Sequence, residues 1–316
     1  MDMTKIKIFL LTSLALLLSA CTLETDNGAG DLEGMWHLVR IENLVTGSGG
    51  SVKDRPVKYI LKSLLDSGEL EKGGTIVEST SGNTGVALSM LGAAFGLHVI
   101  IVMPETMSVE RRNLIQAYGA ELVLTPGSEG MKGAGEKAAE IAKEKNAPIF
   151  GQFVRHENVQ AHEETTAKEI LADLDQVDGF VAGIGTGGTV TGVGKTLKAH
   201  DKNTVVWGVE PEGSPLLNEG KAGSHKIQGI GANFIPKILD QNVLDKVDII
   251  SNEDAIQGAV HLAHEYGILA GFSSGGNYVS AKRLAKELGP GKHVVTVLPD
   301  TGERYLSTGA FSNDGE

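Results

Sequence analysis

Cysteine is almost absent from this chain of 316 residues, since Cys21 is the only one. A single cysteine near the N-terminus excludes an internal disulfide, a thiolate metal cluster and a cysteine nucleophile in the rest of the chain. We therefore expect chemistry that uses lysine, hydroxyl groups and amides, and no metal site.

Basic residues are outnumbered, because 28 Lys and Arg stand against 40 Asp and Glu and give a formal net charge of −12. This balance argues against binding to nucleic acid and against electrostatic attachment to anionic lipid. The sequence also lacks internal repeats and low-complexity tracts. With 41% hydrophobic residues, 5% aromatic residues and 42 glycines, its composition is that of a folded α/β protein of about two domains.

An apolar run occupies residues 8–18, after Lys5 and Lys7, and small residues then precede Cys21. The run is too short to span a bilayer comfortably as a helix, and small residues before a cysteine suit cleavage with lipid attachment. A buried N-terminal helix is the structural alternative. The pattern predicts a lipoprotein signal peptide over residues 1–21, with lipidation at Cys21 and an anchored place in a bacterial envelope.

The next segment, residues 22–48, is interpreted as a linker or foreign segment. Residues 22–31 are polar and glycine-rich, whereas residues 32–45 contain Trp36 and an apolar pattern that suggests a short strand.

Strand and helix patterns alternate after residue 49, which favours parallel sheets with crossover helices. We predict a small domain over residues 49–155 and a large domain over residues 156–312. Predicted strands are 75–77, 98–103, 121–124 and 148–150 in the first domain, and 180–182, 204–209 and 293–298 in the second. Predicted helices begin near residues 57, 85, 108 and 130, and then near 160, 188, 253 and 276. The fold class is α/β, with two domains of mainly parallel twisted sheets flanked by helices and an active site between them.

One lysine stands out, because Lys53 follows paired glycines in GGSVKDR at 49–55. A lysine amine condenses with an aldehyde to form a Schiff base, provided that a desolvated cleft lowers its pKa enough to leave it neutral. By itself, a lysine flanked by Asp and Arg is more often a solvated surface residue.

A loop with free N–H groups and short hydroxyls is predicted between a strand and a helix, where it can bind an anion such as a substrate carboxylate. It consists of Thr80, Ser81, Gly82, Asn83 and Thr84. Ser, Thr and Asn are also favoured as helix N-caps for structural reasons, and both interpretations can hold.

A second glycine-rich loop follows an apolar strand and precedes a helix. It consists of Gly185, Thr186, Gly187, Gly188 and Thr189. Its amides, its hydroxyls and the helix dipole can together bind a dianionic phosphate, although an ordinary strand-to-helix turn is the plain alternative. The loop differs from the GxGxxG fingerprint, and no acidic residue at the ribose distance supports a nicotinamide dehydrogenase.

Nine ordered stretches resemble the cysteine synthase (O-acetylserine sulfhydrylase) family over residues 49–311. They are GGSVKDR at 49–55, TSGNTG at 80–85, MPETMSVERR at 103–112, GAELVLTPG at 119–127, GMKGA at 130–134, GIGTGGTVTGVG at 183–194, IQGIGA at 227–232, GFSSGG at 271–276 and PDTGERYLST at 299–308. The resemblance implies a fold type II pyridoxal-phosphate enzyme, similar to the tryptophan synthase β chain.

The resemblance also implies roles for individual residues. Lys53 is expected to hold pyridoxal phosphate and to act as the base, and the 80–84 loop to grip the α-carboxylate, with Asn83 also bonding the cofactor's ring hydroxyl. The 185–189 loop is expected to hold the phosphate, and Gln152 to help bind the carboxylate.

Ser273 is expected to face the pyridine nitrogen, with a one-residue ambiguity towards Ser274. A hydroxyl at that nitrogen suits β-elimination and β-replacement better than transamination. Both serines also suit a helix N-cap, and His162 is expected to be structural.

The implied reaction converts O-acetyl-L-serine and sulfide into L-cysteine and acetate, in a cytoplasmic homodimer that can partner serine acetyltransferase. Cystathionine β-synthase and serine or threonine dehydratase are the alternative activities. Some residues depart from the family pattern: Gly47-Ser48 stands where Asn-Pro is usual, 154–160 differ, and the usual Gly-Asn-Thr-Pro-Leu signature is absent. A non-catalytic envelope lipoprotein with a truncated enzyme body, lacking a strand and the dimer arm, is therefore the competing hypothesis.

Overall fold

The computed structural model describes residues 20–25, 36–41 and 49–312, and for the first two ranges it describes the backbone. The strands are β1 (Ala20–Thr25), β2 (Trp36–Ile41), β3 (Thr75–Ser79), β4 (His98–Pro104), β5 (Glu121–Thr125), β6 (Gly179–Gly183), β7 (Val205–Pro211), β8 (Lys246–Ile250) and β9 (Val294–Val297). The predicted signal peptide lies outside the described residues except for Ala20 and Cys21, which begin β1.

The helices are α1 (Asp54–Ser67), α2 (Asn83–Ala94), α3 (Val109–Ala117), α4 (Gly130–Glu144), α5 (Glu157–Ala161), α6 (Ala167–Asp173), α7 (Gly188–His200), α8 (Leu216–Glu219), α9 (Asn252–Tyr266) and α10 (Phe272–Leu288). A π-helical turn, His162–Thr166, joins α5 to α6. Such turns insert one extra residue into a helix and are frequent at functional sites.

The smaller sheet has three parallel strands in the order β3-β4-β5. All three lie within a few residues of their predicted positions. The fourth predicted strand, 148–150, is reduced to a single parallel bridge between Ile149 and Val77. The apolar residues of α1 recur at helical spacing and are fully buried against this sheet; they are Val57, Ile60, Leu61 and Leu64.

The larger sheet has six strands in the order β2-β1-β9-β6-β7-β8. Strands β9, β6, β7 and β8 run parallel to one another, whereas β1 is antiparallel to both of its neighbours. The predicted α/β fold with mainly parallel sheets is therefore confirmed. The sequence did not predict β8, and the predicted short strand around Trp36 corresponds to β2, at the edge of this sheet.

Both sheets place the loops of interest at the carboxyl ends of their strands, where α/β proteins bind ligands. The 80–84 loop follows β3, the 185–187 turn follows β6, and Asp300 lies just beyond β9. Within the described ranges, no helix is long and apolar enough to cross a bilayer.

Candidate functional site

Lys53 immediately precedes α1 and lies near Asp300, where the chain after β9 meets the 80–84 loop; this junction between the two sheets is called the cleft below. Its side chain is mostly buried, and this burial lowers the pKa of the amine from its usual value, while the negative charge of Asp300 opposes the shift. A bridge between Ser51 and Asp300, and a 2.7 Å bond from the N–H of Val52 to the carbonyl of Pro299, fix the lysine segment against the end of β9. The fold thus meets the requirement for a lysine that can be neutral.

Asn83 opens α2 and connects the 80–84 loop to the larger sheet. Its Nδ2 donates to Oδ2 of Asp300 at 2.7 Å, and the hydroxyl of Tyr305 donates to the same oxygen at 2.7 Å. Arg304 and Arg111 donate to Oδ1 of Asn83, the latter at 3.4 Å. These bonds hold the amide side chain of Asn83 in one orientation.

Arg111 is 1% exposed although it is a charged residue of α3. Its guanidinium lies 3.8 Å from Oδ2 of Asp300 and donates to the hydroxyl of Tyr305 at 3.2 Å and to the side-chain oxygen of Gln228. A buried charge is tolerated when it is paired and hydrogen-bonded. Arg111 therefore links three segments around the cleft: α3, residues 227–232 and the chain after β9.

Gln152 lies beside the 80–84 loop, where the resemblance expects it. Its Oε1 accepts a 2.6 Å bond from the hydroxyl of Thr84, and its Nε2 donates to Oε1 of Glu78 at 3.1 Å. The second carboxylate oxygen of Glu78 accepts the N–H of Gly151 at 3.0 Å. Burial raises the pKa of Glu78 to about 7, against the opposing effect of these bonds and of Arg155.

The 185–189 loop forms the turn from β6 into α7, as its glycine pattern predicts. Gly187 has φ of +83°, a left-handed conformation that glycine adopts without strain. A Cβ at Gly185 would overlap the carbonyl oxygen of Gly229, and a Cβ at Gly188 would overlap Oδ1 of Asn158. The loop therefore requires glycine at these three positions.

Two hydroxyls of the same loop lie within hydrogen-bonding distance of side chains outside the loop. The Oγ1 of Thr186 accepts from Nδ2 of Asn158 at 3.0 Å and from the N–H of Gly188 at 3.3 Å, which leaves its own O–H free to donate. The Oγ1 of Thr189 lies 3.2 Å from Nε2 of His162. Burial and the positive charges of Arg55 and Lys53 lower the pKa of His162 to about 3, so its ring is neutral.

Ser273 and Ser274 begin α10 and are both buried. The hydroxyl of Ser274 donates to the backbone carbonyl of Asp300 at 3.5 Å. The Oγ of Ser273 instead faces Gly229, where an added Cβ would lie 3.7 Å away. This arrangement favours Ser273 as the hydroxyl that is presented to the cleft.

The residues present fit pyridoxal phosphate. A desolvated lysine, a helix N-terminus with free hydroxyls for an anion, and a serine opposite a glycine are the donor groups that this cofactor needs. A side chain at Gly229 would project towards Ser273 and fill the intervening space.

Sequence reasoning assigned no role to several residues of the site. They are Glu78, Arg111, Asn158, Gln228, Asp300, Arg304 and Tyr305. Three of the matched stretches contain five of them, but nothing in the pattern of those stretches distinguishes a buried charge from a surface one. Glu78 had no signal of this kind either, because it lies just beyond the predicted strand 75–77 and is included only in the observed strand β3.

The chain is similar to known proteins over most of its length. The family model described as "Pyridoxal-phosphate dependent enzyme" matches residues 33–300, and so begins inside the 22–48 segment. The chain is 53% identical over 264 residues to a cysteine synthase B of Campylobacter jejuni, which covers 83% of this chain and 88% of the relative. It is 50% identical over 268 residues to a cysteine synthase of Staphylococcus aureus, which covers 84% of this chain and 86% of the relative.

A solved structure gives the same comparison in three dimensions. A hydrogen sulfide-producing enzyme from Fusobacterium nucleatum aligns with a TM-score of 0.85 at 36% identity, and the alignment covers 100% of this chain and 94% of that chain.

Proposed function

Because this chain belongs to the family of pyridoxal-phosphate dependent enzymes, we propose that it is a cysteine synthase, which converts O-acetyl-L-serine and sulfide into L-cysteine and acetate. One observation carries the proposal. A series of hydrogen bonds joins the 80–84 loop, called the carboxylate loop here, to the 185–189 loop, called the phosphate loop. Thr84 bonds to Gln152, and Asn158 donates both to the carbonyl of Gln152 at 2.9 Å and to the hydroxyl of Thr186. An amino acid and a phosphate can thus be held in one cleft beside Lys53.

Different residues of this chain carry out different parts of the proposed reaction. When bound, pyridoxal phosphate supplies an aldehyde for Lys53 and a sink for the electrons released at the α-carbon of the substrate. The 80–84 loop binds the α-carboxylate at the N-terminus of α2, where the helix dipole favours an anion. The amine of Lys53 removes the α-proton as acetate leaves from the β-carbon. Sulfide then adds to the β-carbon, and Lys53 returns a proton to the α-carbon.

The environment of Lys53 supports its role as a base. Desolvation lowers the pKa of the amine and so increases the neutral fraction, while the negative charge of Asp300 acts in the opposite direction. Arg111 and Tyr305 hold Asp300 in place and carry no proton to the substrate in this proposal.

The proposal is tested with the full chain and pyridoxal phosphate. We expect a visible absorption band that shifts on addition of O-acetyl-L-serine, and formation of L-cysteine when sulfide follows. Lys53→Ala should abolish both, whereas Lys58→Ala, at an exposed position of α1, should preserve both. A folded protein that shows neither band nor product would contradict the proposal and favour the non-catalytic envelope lipoprotein.

Hydrogen sulfide production is the second candidate function, because the Fusobacterium nucleatum enzyme aligns with the whole chain. Such an activity would release sulfide from a thiol amino acid such as L-cysteine. The two activities separate in one experiment, in which sulfide release from L-cysteine is compared with L-cysteine formation at equal enzyme concentration. Formation of cystathionine from L-serine and L-homocysteine tests cystathionine β-synthase activity, and release of pyruvate and ammonia from L-serine tests dehydratase activity.

Assembly is proposed from the family resemblance. We infer a homodimer, and a complex with serine acetyltransferase, as further properties of this enzyme. Sedimentation equilibrium of the full chain, alone and with the acetyltransferase, measures both. A monomer that does not change its mass on mixing would contradict the two proposals.

For location, we propose a cytoplasmic enzyme over a lipid-anchored one. The backbone of Cys21 pairs with Thr296 on one side and with Ile41 on the other, so β1 lies inside the larger sheet. Cys21 would have to leave that sheet before a lipid attached to it could reach a membrane. Fractionation of cells that produce the wild type and Cys21→Ser decides the question, since a membrane-bound wild type that the variant releases would establish lipidation.

A further inference from the structure

Glu78 is a buried carboxyl group for which the proposed reaction has no step. It lies on β3, two residues before the carboxylate loop, and is 4% exposed. Burial of an ionisable side chain is costly unless its oxygens are bonded, so its partners indicate what it does. Both partners belong to the segment that contains Gln152.

The two oxygens of Glu78 have two different donors. Oε2 accepts the backbone N–H of Gly151 at 3.0 Å, and Oε1 accepts Nε2–H of Gln152 at 3.1 Å. A carboxylate can accept both bonds, whereas a glutamine in its place would present an N–H to one of the two donors. Glu78 therefore determines which end of the Gln152 amide faces it.

The orientation of Gln152 then determines the arrangement of Thr84. With Nε2 turned towards Glu78, Oε1 is turned towards Thr84 and accepts its hydroxyl proton at 2.6 Å. The amide nitrogen carries two hydrogens, and only one of them is used by Glu78. The second N–H of Gln152 is thus available to an acceptor next to the 80–84 loop.

The charged surroundings of Glu78 are sparse. The positive charge of Arg155, from the segment after Gln152, lowers the pKa of the Glu78 carboxyl. Arg155 also forms an ion pair with Glu69 and donates a hydrogen bond to the carbonyl of Phe150. Helix α2, which packs on the same face of β3 as α1, has no ionisable side chain, and α1 contributes apolar residues there. On β4 the residue opposite Glu78 is Ile101. The protonation of Glu78 is therefore controlled mainly by burial and by its hydrogen bonds to Gly151 and to the side chain and backbone of Gln152.

We propose that Glu78 is a positioning residue, which holds the Gln152 amide so that its free N–H faces the α-carboxylate of the amino-acid substrate. The inference deepens the proposed function and rests on it for the identity of the substrate. Protonation of Glu78 adds an O–H donor where Gln152 and Gly151 both donate, and so releases the amide from its fixed orientation. Because the pKa of Glu78 is raised to about 7, the release falls in the neutral pH range.

The test compares wild type with Glu78→Gln in two assays. In steady-state kinetics at pH 8, we expect the variant to raise the KM for O-acetyl-L-serine by roughly tenfold, as for loss of a charge-assisted hydrogen bond, with kcat changed less than twofold. In calorimetry with L-serine, which has the carboxylate but no acetyl group to lose, the dissociation constant should rise by a similar factor. Glu105→Gln is the matched control, since Glu105 also accepts a backbone N–H, that of Gly127, but is exposed and makes no bond to Gln152.

A pH series provides a measurement that needs no substitution. For wild type, the dissociation constant of L-serine should rise as the pH falls from 8 to 6, and Glu78→Gln should remove this dependence. Glu78→Asp keeps the charge but is one methylene shorter, so it should retain the pH dependence with weaker binding.

The outcomes separate this inference from the proposed function. If wild type binds L-serine but does not form L-cysteine, the proposed function fails, while the pH series still tests Glu78. If wild type forms L-cysteine and Glu78→Gln leaves KM and L-serine binding unchanged, the inference is overturned. A loss of melting temperature with unchanged binding would likewise assign Glu78 a purely structural role and overturn it.

Discussion

The Nδ2 of Asn83 donates a 2.7 Å hydrogen bond to Oδ2 of Asp300, across 217 positions of sequence. Asn83 begins α2 after the smaller sheet, and Asp300 follows the last strand of the larger one. This bond joins the carboxyl edges of the two sheets at the place where Lys53 enters the cleft. Asp300 is also the negative charge that acts on the Lys53 amine.

Asp300→Asn should lower the pKa of Lys53 further. Desolvation would then act on the amine without the opposing negative charge, so a larger neutral fraction would be present at a given pH. The pH dependence of the rate at which Lys53 reacts with added pyridoxal phosphate measures this, and its midpoint should move to lower pH. Glu303→Gln, at an exposed position nearby, should leave the midpoint in place. A midpoint that is unchanged or higher in Asp300→Asn would refute the assignment.

His162→Ala should weaken the binding of pyridoxal phosphate, and the loss of affinity should be the same at every pH between 5.5 and 8. The ring lies 3.2 Å from the hydroxyl of Thr189 and 2.9 Å from that of Thr166, and loss of such a bond costs about 1 kcal/mol, or roughly fivefold in affinity. Because the pKa of His162 is lowered to about 3, the ring stays neutral between pH 5.5 and 8. Equilibrium titration of the apoprotein with pyridoxal phosphate over that range is the measurement.

Thr165→Val is the control for that experiment. Its hydroxyl donates to the carbonyl of Ala161, within the same π-helical turn, and does not contact the phosphate loop. The prediction would be contradicted if the affinity of wild type for pyridoxal phosphate changed with pH, with a midpoint between pH 6 and 7, and the affinity of His162→Ala did not. Such a result would show that the histidine becomes charged.

Asp54→Asn should alter how stability depends on pH. Burial raises the pKa of Asp54 to about 6, although Arg304, Arg55 and two backbone amides act in the opposite direction. The folded state therefore holds the proton more tightly than the unfolded state, and the resulting stabilisation is complete below about pH 4 and is lost as the pH rises through 6. An asparagine never ionises. Between pH 4 and 8 the variant should thus gain about 2 kcal/mol in the free energy of unfolding relative to wild type.

Denaturant unfolding at the two pH values measures this difference. Asp66→Asn, at an exposed position of the same helix, should follow the wild-type dependence. Parallel curves for Asp54→Asn and wild type would show that the carboxyl is already charged in the folded protein at low pH.

Gly185→Ala should reduce cofactor retention by roughly tenfold or more, because overpacking at a close backbone approach costs about 1–3 kcal/mol. The added Cβ would overlap the carbonyl oxygen of Gly229, a main-chain atom that cannot rotate away. Retention is measured by gel filtration followed by absorbance. The control is Gly135→Ala in α4, where the nearest atom to the added Cβ is the hydroxyl of Ser79 at 3.8 Å, so retention should be unchanged. Equal retention in both variants would contradict the close approach at Gly229.

Local patterns predicted much of this architecture. The strand before each binding loop and the helix after it were predicted within a few residues, because apolar runs and glycine-rich turns are short-range signals. Strand β8 was missed, since Lys246–Ile250 is only five residues long and contains the charged residues Lys246 and Asp248. The strand predicted at 148–150 forms one bridge only, because Gly151 and Gln152 turn towards Glu78 directly after it.

The sequence alone determined the kind of chemistry, because a lysine motif, a carboxylate loop and a phosphate loop each have a distinct local composition. Only the tertiary structure decided which side chains act together. The partners of Asn83, Gln152 and Thr186 lie 217, 74 and 28 positions away, at Asp300, Glu78 and Asn158. Folding brings such pairs within hydrogen-bonding distance through sheet order and helix packing, and it also sets the burial that shifts the pKa values of Lys53 and Glu78. Neither effect has a short-range signature, because both depend on which distant segments exclude water from the same place.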